Sequence, residues 1–275
     1  MPNQPQNPTH HFSPEELAVA LGKPFPPTEE QAAVIDGPFG PKLVVAGAGA
    51  GKTETMASRV VSLVANGLVR PEQVLGLTFT RKAAQQLEQR IRRQLLTLRS
   101  SGILAPGSAA AEAVENIVPK VSTYDSYAGD LVREYGLLMP VEPSARIITE
   151  AERYAIAHDV VSNYAGSLST GNTVPTVTAT LLNLAQTMDG ELKDPDAVRE
   201  HAEIFRKTAE DLEKSPRTKG EFSQDVQGYL DTQRLRVEYL PLVEALKKEQ
   251  AERGVITFGE QMSIAATLAK NFPLL

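Results

Sequence analysis

The chain has 275 residues, 41% of them hydrophobic and 23% charged, with a net charge of −6 from 28 Lys and Arg against 34 Asp and Glu. This is the composition of an ordinary soluble globular protein of about two domains, and its acidic balance gives no global field that would draw in nucleic acid. With no cysteine, disulfides, zinc ribbons, iron–sulfur clusters and thiol catalysis are excluded, and the 4 His show no metal-ligand spacing.

Residues 1–14 contain Pro2, Pro5, Pro8 and Pro14 and read as a flexible lead-in, without the apolar core of a signal peptide. No apolar run reaches the length of a membrane span, so a cytoplasmic protein with no membrane partner is expected. Ser13 and Pro14 suit the N-cap and first position of a short helix reaching Leu21. A Pro-rich stretch at 23–27 leads to Thr28, which opens a second helix carrying Ala32, Ala33, Val34 and Ile35; Gly37 to Pro41 breaks it.

Leu43-Val44-Val45-Ala46 reads as a buried strand, and Gly47 to Gly51 as a glycine-rich turn. A helix is expected over 52–66, with Met56, Val60, Leu63 and Val64 on one face and Gly67 at its end. Residues 74–79 read as a second strand. Ala83, Leu87, Ile91, Leu95 and Leu98 define an amphipathic helix over 82–98. After a loop at 100–108 come a small helix at 109–116, a third strand at 118–123 and a helix at 125–135. Such alternation implies βαβ units and a parallel sheet.

Beyond about Pro143 the pattern turns helical, at 150–164, 177–188, 195–212 and 226–253. The loops at 166–175 and 215–223 are polar. Arg146-Ile147-Ile148 is a candidate strand, and Val255 to Phe258 would return the chain to the first domain. There is no internal repeat.

Ala46-Gly47-Ala48-Gly49-Ala50-Gly51-Lys52-Thr53 carries the chemistry. Glycines let backbone N–H groups turn inward around a phosphate, and the following helix points its N-terminus at the same anion. Lys52 would reach the β- and γ-phosphates, and the Thr53 hydroxyl would ligate Mg²⁺. Ala46 stands where the pattern G-x-x-x-x-G-K-[ST] has its first Gly, but the run follows an apolar segment and opens an amphipathic helix, as the motif requires. Gln31 has two readings that do not exclude each other. Thr28-x-x-Gln31 is a capping box, and the Gln31 amide also offers the donor–acceptor pair that grips an adenine edge.

Together these residues resemble the UvrD/Rep/PcrA family of superfamily 1 DNA helicases. The family's Q motif looks like Pro27-Thr28-Glu29-Glu30-Gln31, and its motif I like Ala46 to Thr53, where Ala at the first position is usual. Motif Ia looks like Leu77-Thr78-Phe79-Thr80-Arg81-Lys82-Ala83-Ala84, and the next DNA-contacting motif like Ser122-Thr123-Tyr124-Asp125-Ser126. Order and spacing agree across roughly the first 135 residues, and the phrase Gly51-Lys52-Thr53-Glu54-Thr55-Met56 looks most like actinobacterial members, some of which are helicase–nuclease subunits.

The resemblance implies an α/β fold: a RecA-like P-loop domain, 1A, beginning at 15–142, an inserted all-helical domain, 1B, at 143–253, and a return to 1A at 254–275. It implies ATP and Mg²⁺ as cofactors, with nucleotide binding by Gln31, Ala46, Gly47, Ala48, Gly49, Ala50, Gly51, Lys52, Thr53 and Glu54. Single-stranded DNA would meet Phe79, Thr80, Arg81, Lys82, Thr123 and Tyr124, and a second component of a helicase–nuclease is a candidate partner.

Three departures stand out. Glu54 occupies a position where the family often has a basic residue, and Asp125 one where its DNA motif usually has His. The segment often written D-F-D-D-L is matched weakly by Thr257-Phe258-Gly259-Glu260-Gln261-Met262, and the D-E-x-Q-D motif and the second RecA-like domain are not in the sequence. The expectation is therefore the N-terminal part of a helicase that moves 3′ to 5′ on single-stranded DNA, inactive by itself. The alternatives are a complete module that binds ATP and DNA without hydrolysis, and a different P-loop enzyme such as a kinase or GTPase. Between Arg81 and Arg99, Arg81, Lys82, Arg90, Arg92, Arg93 and Arg99 face the single acid Glu88. This reads as a DNA track or as a solvated helix face. Phe79 reads as a stacking platform or as core.

Overall fold

Most helix starts are written into this sequence as side-chain caps. The computed structural model forms them, and it describes residues 11–108, 110–112, 119–139, 142–211 and 222–273. Outside the described residues lie most of the expected lead-in and of the small helix at 109–116, the first residue of the strand expected at 118–123, and most of the loop at 215–223. Ser13 caps α1 (Pro14–Ala20) in a reciprocal box with Glu16, and Thr28 caps α2 (Glu29–Ile35) in the same way with Gln31. Then follow α3 (Lys52–Ala65), β1 (Leu75–Thr78), α4 (Arg81–Ser100), β2 (Lys120–Thr123) and α5 (Tyr124–Tyr135). The remainder is β3 (Arg146–Ile147), α6 (Glu150–Ser162), α7 (Val174–Gly190), α8 (Pro195–Glu210), α9 (Gln224–Glu252), β4 (Val255–Ile256) and α10 (Phe258–Asn271).

The fold is a helix-rich α/β arrangement with two small parallel sheets. β1 pairs with β2 from Leu75↔Lys120 to Thr78↔Thr123, and β3 with β4 through Arg146↔Val255 and Ile147↔Ile256. Parallel pairing puts the C-terminal ends of β1 and β2 side by side. The chain divides into two compact units, residues 1–124 and 125–275.

In the first unit, Ala57, Val61, Val64 and Ala65 of α3 pack with Leu87, Ile91, Leu95 and Leu98 of α4 and Leu17 of α1. The α4 face is the expected one. The α3 face is the expected one only at Val64, which is fully buried: Met56 is exposed, Val60 and Leu63 are half-buried, and Thr55, Ala57, Ser58, Val61 and Ser62 are buried instead. Small side chains let neighbouring helices approach closely, and their hydroxyls are satisfied locally. Thr55 Oγ1 donates to the Gly51 carbonyl at 3.2 Å and Ser58 Oγ to that of Glu54 at 2.9 Å. Fully buried Asn66 ends α3, taking the Phe12 N–H at 2.7 Å and donating to the Ser62 carbonyl at 3.0 Å.

The strand expected at 43–46 is not formed. Leu43, Val44 and Val45 are 89%, 44% and 87% exposed, the alternation of a strand without the ladder. A strand needs a neighbour for its backbone N–H and C=O groups, and among the described residues β1 and β2 pair only with each other.

In the second unit the expected helices appear as α6 to α9. α7 starts three residues before the expected 177, because Pro175 falls in its first turn, where a missing N–H costs nothing. Ile156, Leu181, Met188, Tyr239, Leu240, Leu242, Val243, Leu246 and Val255 form one core. α9 carries Pro241 in its interior, so the carbonyl one turn earlier loses its helical partner. β3 and β4 flank α6 to α9 in sequence and pair with each other. α5 and α10 meet through Ala128, Val132 and Ala265.

Candidate phosphate-loop site

The loop from Ala46 to Gly51 ends in a helix whose N-terminus carries no side-chain cap. Gly49 and Gly51 hold φ of +81° and +80°, a left-handed conformation that turns the backbone inward. A side chain added at Gly47 or Gly49 would meet nothing within 4 Å, so the concave face of the loop is open. Lys52 folds back over it: Nζ donates to the Ala46 carbonyl at 2.8 Å and to that of Gly47 at 2.7 Å. Thr53 follows, exposed, at the second position of α3. An uncapped helix start, an open glycine cradle, an ammonium group and an exposed hydroxyl form a donor set that fits a polyphosphate with its magnesium ion.

Gln31 joins this loop to α2. Its Oε1 accepts the Thr28 N–H at 3.1 Å, completing the capping box, and its Nε2 donates to the Ala50 carbonyl at 3.3 Å. Arg59 also ties α3 to α2, a role that sequence reasoning missed. Its guanidinium donates to the carbonyls of Val34 at 2.8 Å, Ile35 at 3.1 Å, Gly37 at 2.8 Å and Pro38 at 3.2 Å. The available signal was a helix end followed by Pro38 and Pro41, whose carbonyls need a donor from elsewhere.

Glu54 does not face open solvent alone. Its carboxylate is 2.8 Å from Lys23 Nζ and 3.1 Å from Arg90 Nη1, and takes the Gln94 amide at 2.7 Å. Burial pushes this carboxyl up, but the Lys23 hydrogen bond, the charges of Lys23 and Arg90, and the Gln94 amide together hold it below the usual carboxylate range. Lys23 was also missed; it sat in a Pro-rich segment with no periodicity to place it. Beside it lies a cavity of about 90 Å³, walled by Phe25, Pro26, Pro27, Gln31, Glu54 and Ser58 among others.

A second cluster stands at the C-terminal ends of β1 and β2. Phe79 and Tyr124 follow these strands, and their rings lie 5.3 Å apart, tilted by 38°. Phe79 is 90% exposed and Tyr124 43%, so the core reading of Phe79 is wrong: parallel pairing delivers it to the sheet's end, past the last ladder residue. Thr80 caps α4 by accepting the Ala83 N–H at 3.1 Å. Arg81 and Lys82 occupy the first two positions of that helix, both exposed. Cations there oppose the helix dipole, an arrangement that suits an anion shared by both. Thr123 is buried. Along α4, Arg90 is ion-paired with Glu54, while Arg92 and Arg93 are exposed.

In the second unit Gln261 donates to the Asp125 carbonyl at 2.8 Å, an approach that Gly129 keeps open, since a Cβ there would meet the Gln261 amide at 3.2 Å. Thr257 caps α10 in a box with Glu260. Asp125 and Gln261, far apart in sequence, thus meet at this one bond.

Comparison with known proteins gives a match to the UvrD/REP helicase N-terminal domain over residues 27–269. An ATP-dependent helicase/nuclease component from Limosilactobacillus fermentum is 33% identical over 138 residues, 47% of this chain and 10% of that protein. The ATP-dependent DNA helicase UvrD2 of Mycobacterium tuberculosis is 47% identical over 64 residues, 23% of this chain and 9% of that protein. DNA helicase IV of Escherichia coli is 45% identical over 74 residues, 27% of this chain and 10% of that protein. The matched stretches thus cover about a tenth of the length of these relatives. Among the described residues no helix is long and apolar enough to cross a membrane.

Proposed function

Since the chain belongs to the UvrD/REP helicase family by its N-terminal domain, we propose that it supplies the ATP-binding loop and part of the single-stranded DNA site of an ATP-dependent DNA helicase. In this reading residues 15–142 and 254–275 form the RecA-like domain 1A and residues 143–253 the helical insertion 1B. The pairing of β3 with β4 supports the insertion, because the strands before and after α6 to α9 run side by side. The observation that carries the function is Lys52, held by the carbonyls of Ala46 and Gly47 over an uncapped helix start.

Lys52 would leave these carbonyls for the β- and γ-phosphates, and the backbone N–H groups of residues 47–53 would line the phosphate chain. Mg²⁺, when bound, neutralises charge developing on the phosphoryl oxygens, and Thr53 would hold it through its hydroxyl. Gln31 would read the adenine edge from the position where it already touches Ala50. Phe79 and Tyr124 would stack on DNA bases while Thr80, Arg81 and Lys82 meet phosphates, and Thr123, buried at the end of β2, would not reach one. The parent enzyme would couple hydrolysis to 3′ to 5′ movement, in the cytoplasm, alone or as one component of a helicase–nuclease. The chain by itself is proposed to bind without turnover, since it offers the loop, Lys52 and Thr53 alone of the parts that phosphoryl transfer needs.

Calorimetric titration with MgATP tests this. Lys52→Ala is expected to weaken binding by at least about tenfold, the loss of one charge-assisted contact, while leaving single-stranded DNA binding intact. Equal MgATP affinity in the two proteins would sink the reading.

A further inference from the structure

The cavity beside the phosphate loop contains a charge arrangement that the loop itself does not require. Phe25, Pro26 and Pro27 form one wall, and Glu54, Thr55 and Ser58 of α3 another. Lys23 is the one cation on its walls among the described residues. Its side chain is 22% exposed, with Nζ 2.8 Å from Glu54 Oε1 and donating to Ser58 Oγ at 2.7 Å. Glu54 is pinned in turn by Arg90 and Gln94 on α4. A partly exposed ion pair contributes little stability, and fixing a lysine side chain costs entropy. This network nevertheless places an ammonium group at a defined point in a small cavity with one flat apolar wall.

We propose that Lys23 contacts the nucleobase, its ammonium lying against the ring of a nucleotide whose phosphates Lys52 holds, and that Glu54 is the positioning residue that keeps it there. The proposal rests on the nucleotide reading above. The cavity begins at Glu54, one residue beyond Thr53 on the same helix, so a base one ribose away from the phosphates comes to its mouth. Phe25, Pro26 and Pro27 suit a planar ring, and a cation over an aromatic face adds attraction that solvent screening at this half-enclosed site does not abolish.

The full chain is titrated with MgATP and, separately, with magnesium tripolyphosphate, which carries the phosphates without a base. Lys23→Met keeps the aliphatic stem and is expected to weaken MgATP binding about threefold to tenfold, with tripolyphosphate unchanged; Lys23→Arg should restore it. Glu54→Gln should show the same selective loss. Equal weakening for both ligands in Lys23→Met, or none for either, overturns the proposal and leaves the phosphate loop's role intact. A selective loss in Lys23→Met with unaltered binding in Glu54→Gln overturns the positioning role alone. If the unmodified chain binds neither ligand, or if Lys52→Ala binds both undiminished, the nucleotide reading falls and this proposal with it.

Discussion

Phe79 and Glu54 mark two ways in which a single residue departs from what its neighbours would dictate. Phe79 is almost wholly exposed on an apolar strand's end, so removing it should cost the fold little. Phe79→Ala is expected to leave the melting temperature unchanged while weakening single-stranded DNA binding by about 1–3 kcal/mol, one stacked base; fluorescence anisotropy with a labelled oligonucleotide reads it. Glu54 titrates below the ordinary carboxylate value of 4.5 in the folded chain. The unfolded chain therefore holds more protons in the window between the two values. The carboxylate's contribution is complete above pH 4.5 and is lost as pH falls through the lowered value. Urea midpoints of the unmodified chain and Glu54→Gln should accordingly differ at neutral pH and converge as pH falls through the lowered value.

At the scale of elements, the turn into α3 depends on Gly51. Its φ of +80° is strained for any other residue, and a Cβ would meet Gln31 Nε2 at 3.1 Å. Gly51→Ala should lower stability by about 1–2 kcal/mol, measured by denaturant unfolding. Gly47→Ala, at a position without that φ and with open space around it, should not. The elements themselves were largely legible. Ser13 and Thr28 are caps that the sequence displays openly, and the stripe from Ala83 to Leu98 has one helical reading, whereas the caps at Thr80 and Thr257 emerged only with the structure. The motif residues of the site could be read one by one, and the parallel pairing of β1 with β2 then brings Phe79 and Tyr124 to one sheet end. What could not be read depends on partners far away in sequence. The buried face of α3 is set by small residues whose value appears only when α4 lies against them. Lys23 and Arg59 act on segments 31 and 21–25 residues distant. The 43–46 strand has the right composition but no neighbour among the described residues, which composition cannot reveal.

For the molecule as a whole, separate cores in two units predict two unfolding transitions, each with its own free energy. Leu181 is fully buried in the core of the second unit. Leu181→Ala should cost about 2–5 kcal/mol there and displace one calorimetric transition while leaving the other in place. Saturating MgATP should raise the transition that Leu181→Ala leaves unmoved, because ligand binding stabilises the unit that holds the loop. A single transition shifted by both treatments would show that the units unfold together.

The bare segment at Leu43 and Val45 has a colloidal consequence. An extended apolar strip with open backbone groups is a template for another copy of the same strip. At neutral pH the net charge of −6 keeps copies apart. That repulsion fades as the solution approaches the isoelectric point near 5.4. The pH that begins to loosen the Glu54 network is thus approached through the pH at which the chain is least soluble, and turbidity will precede unfolding in any acid titration at high concentration.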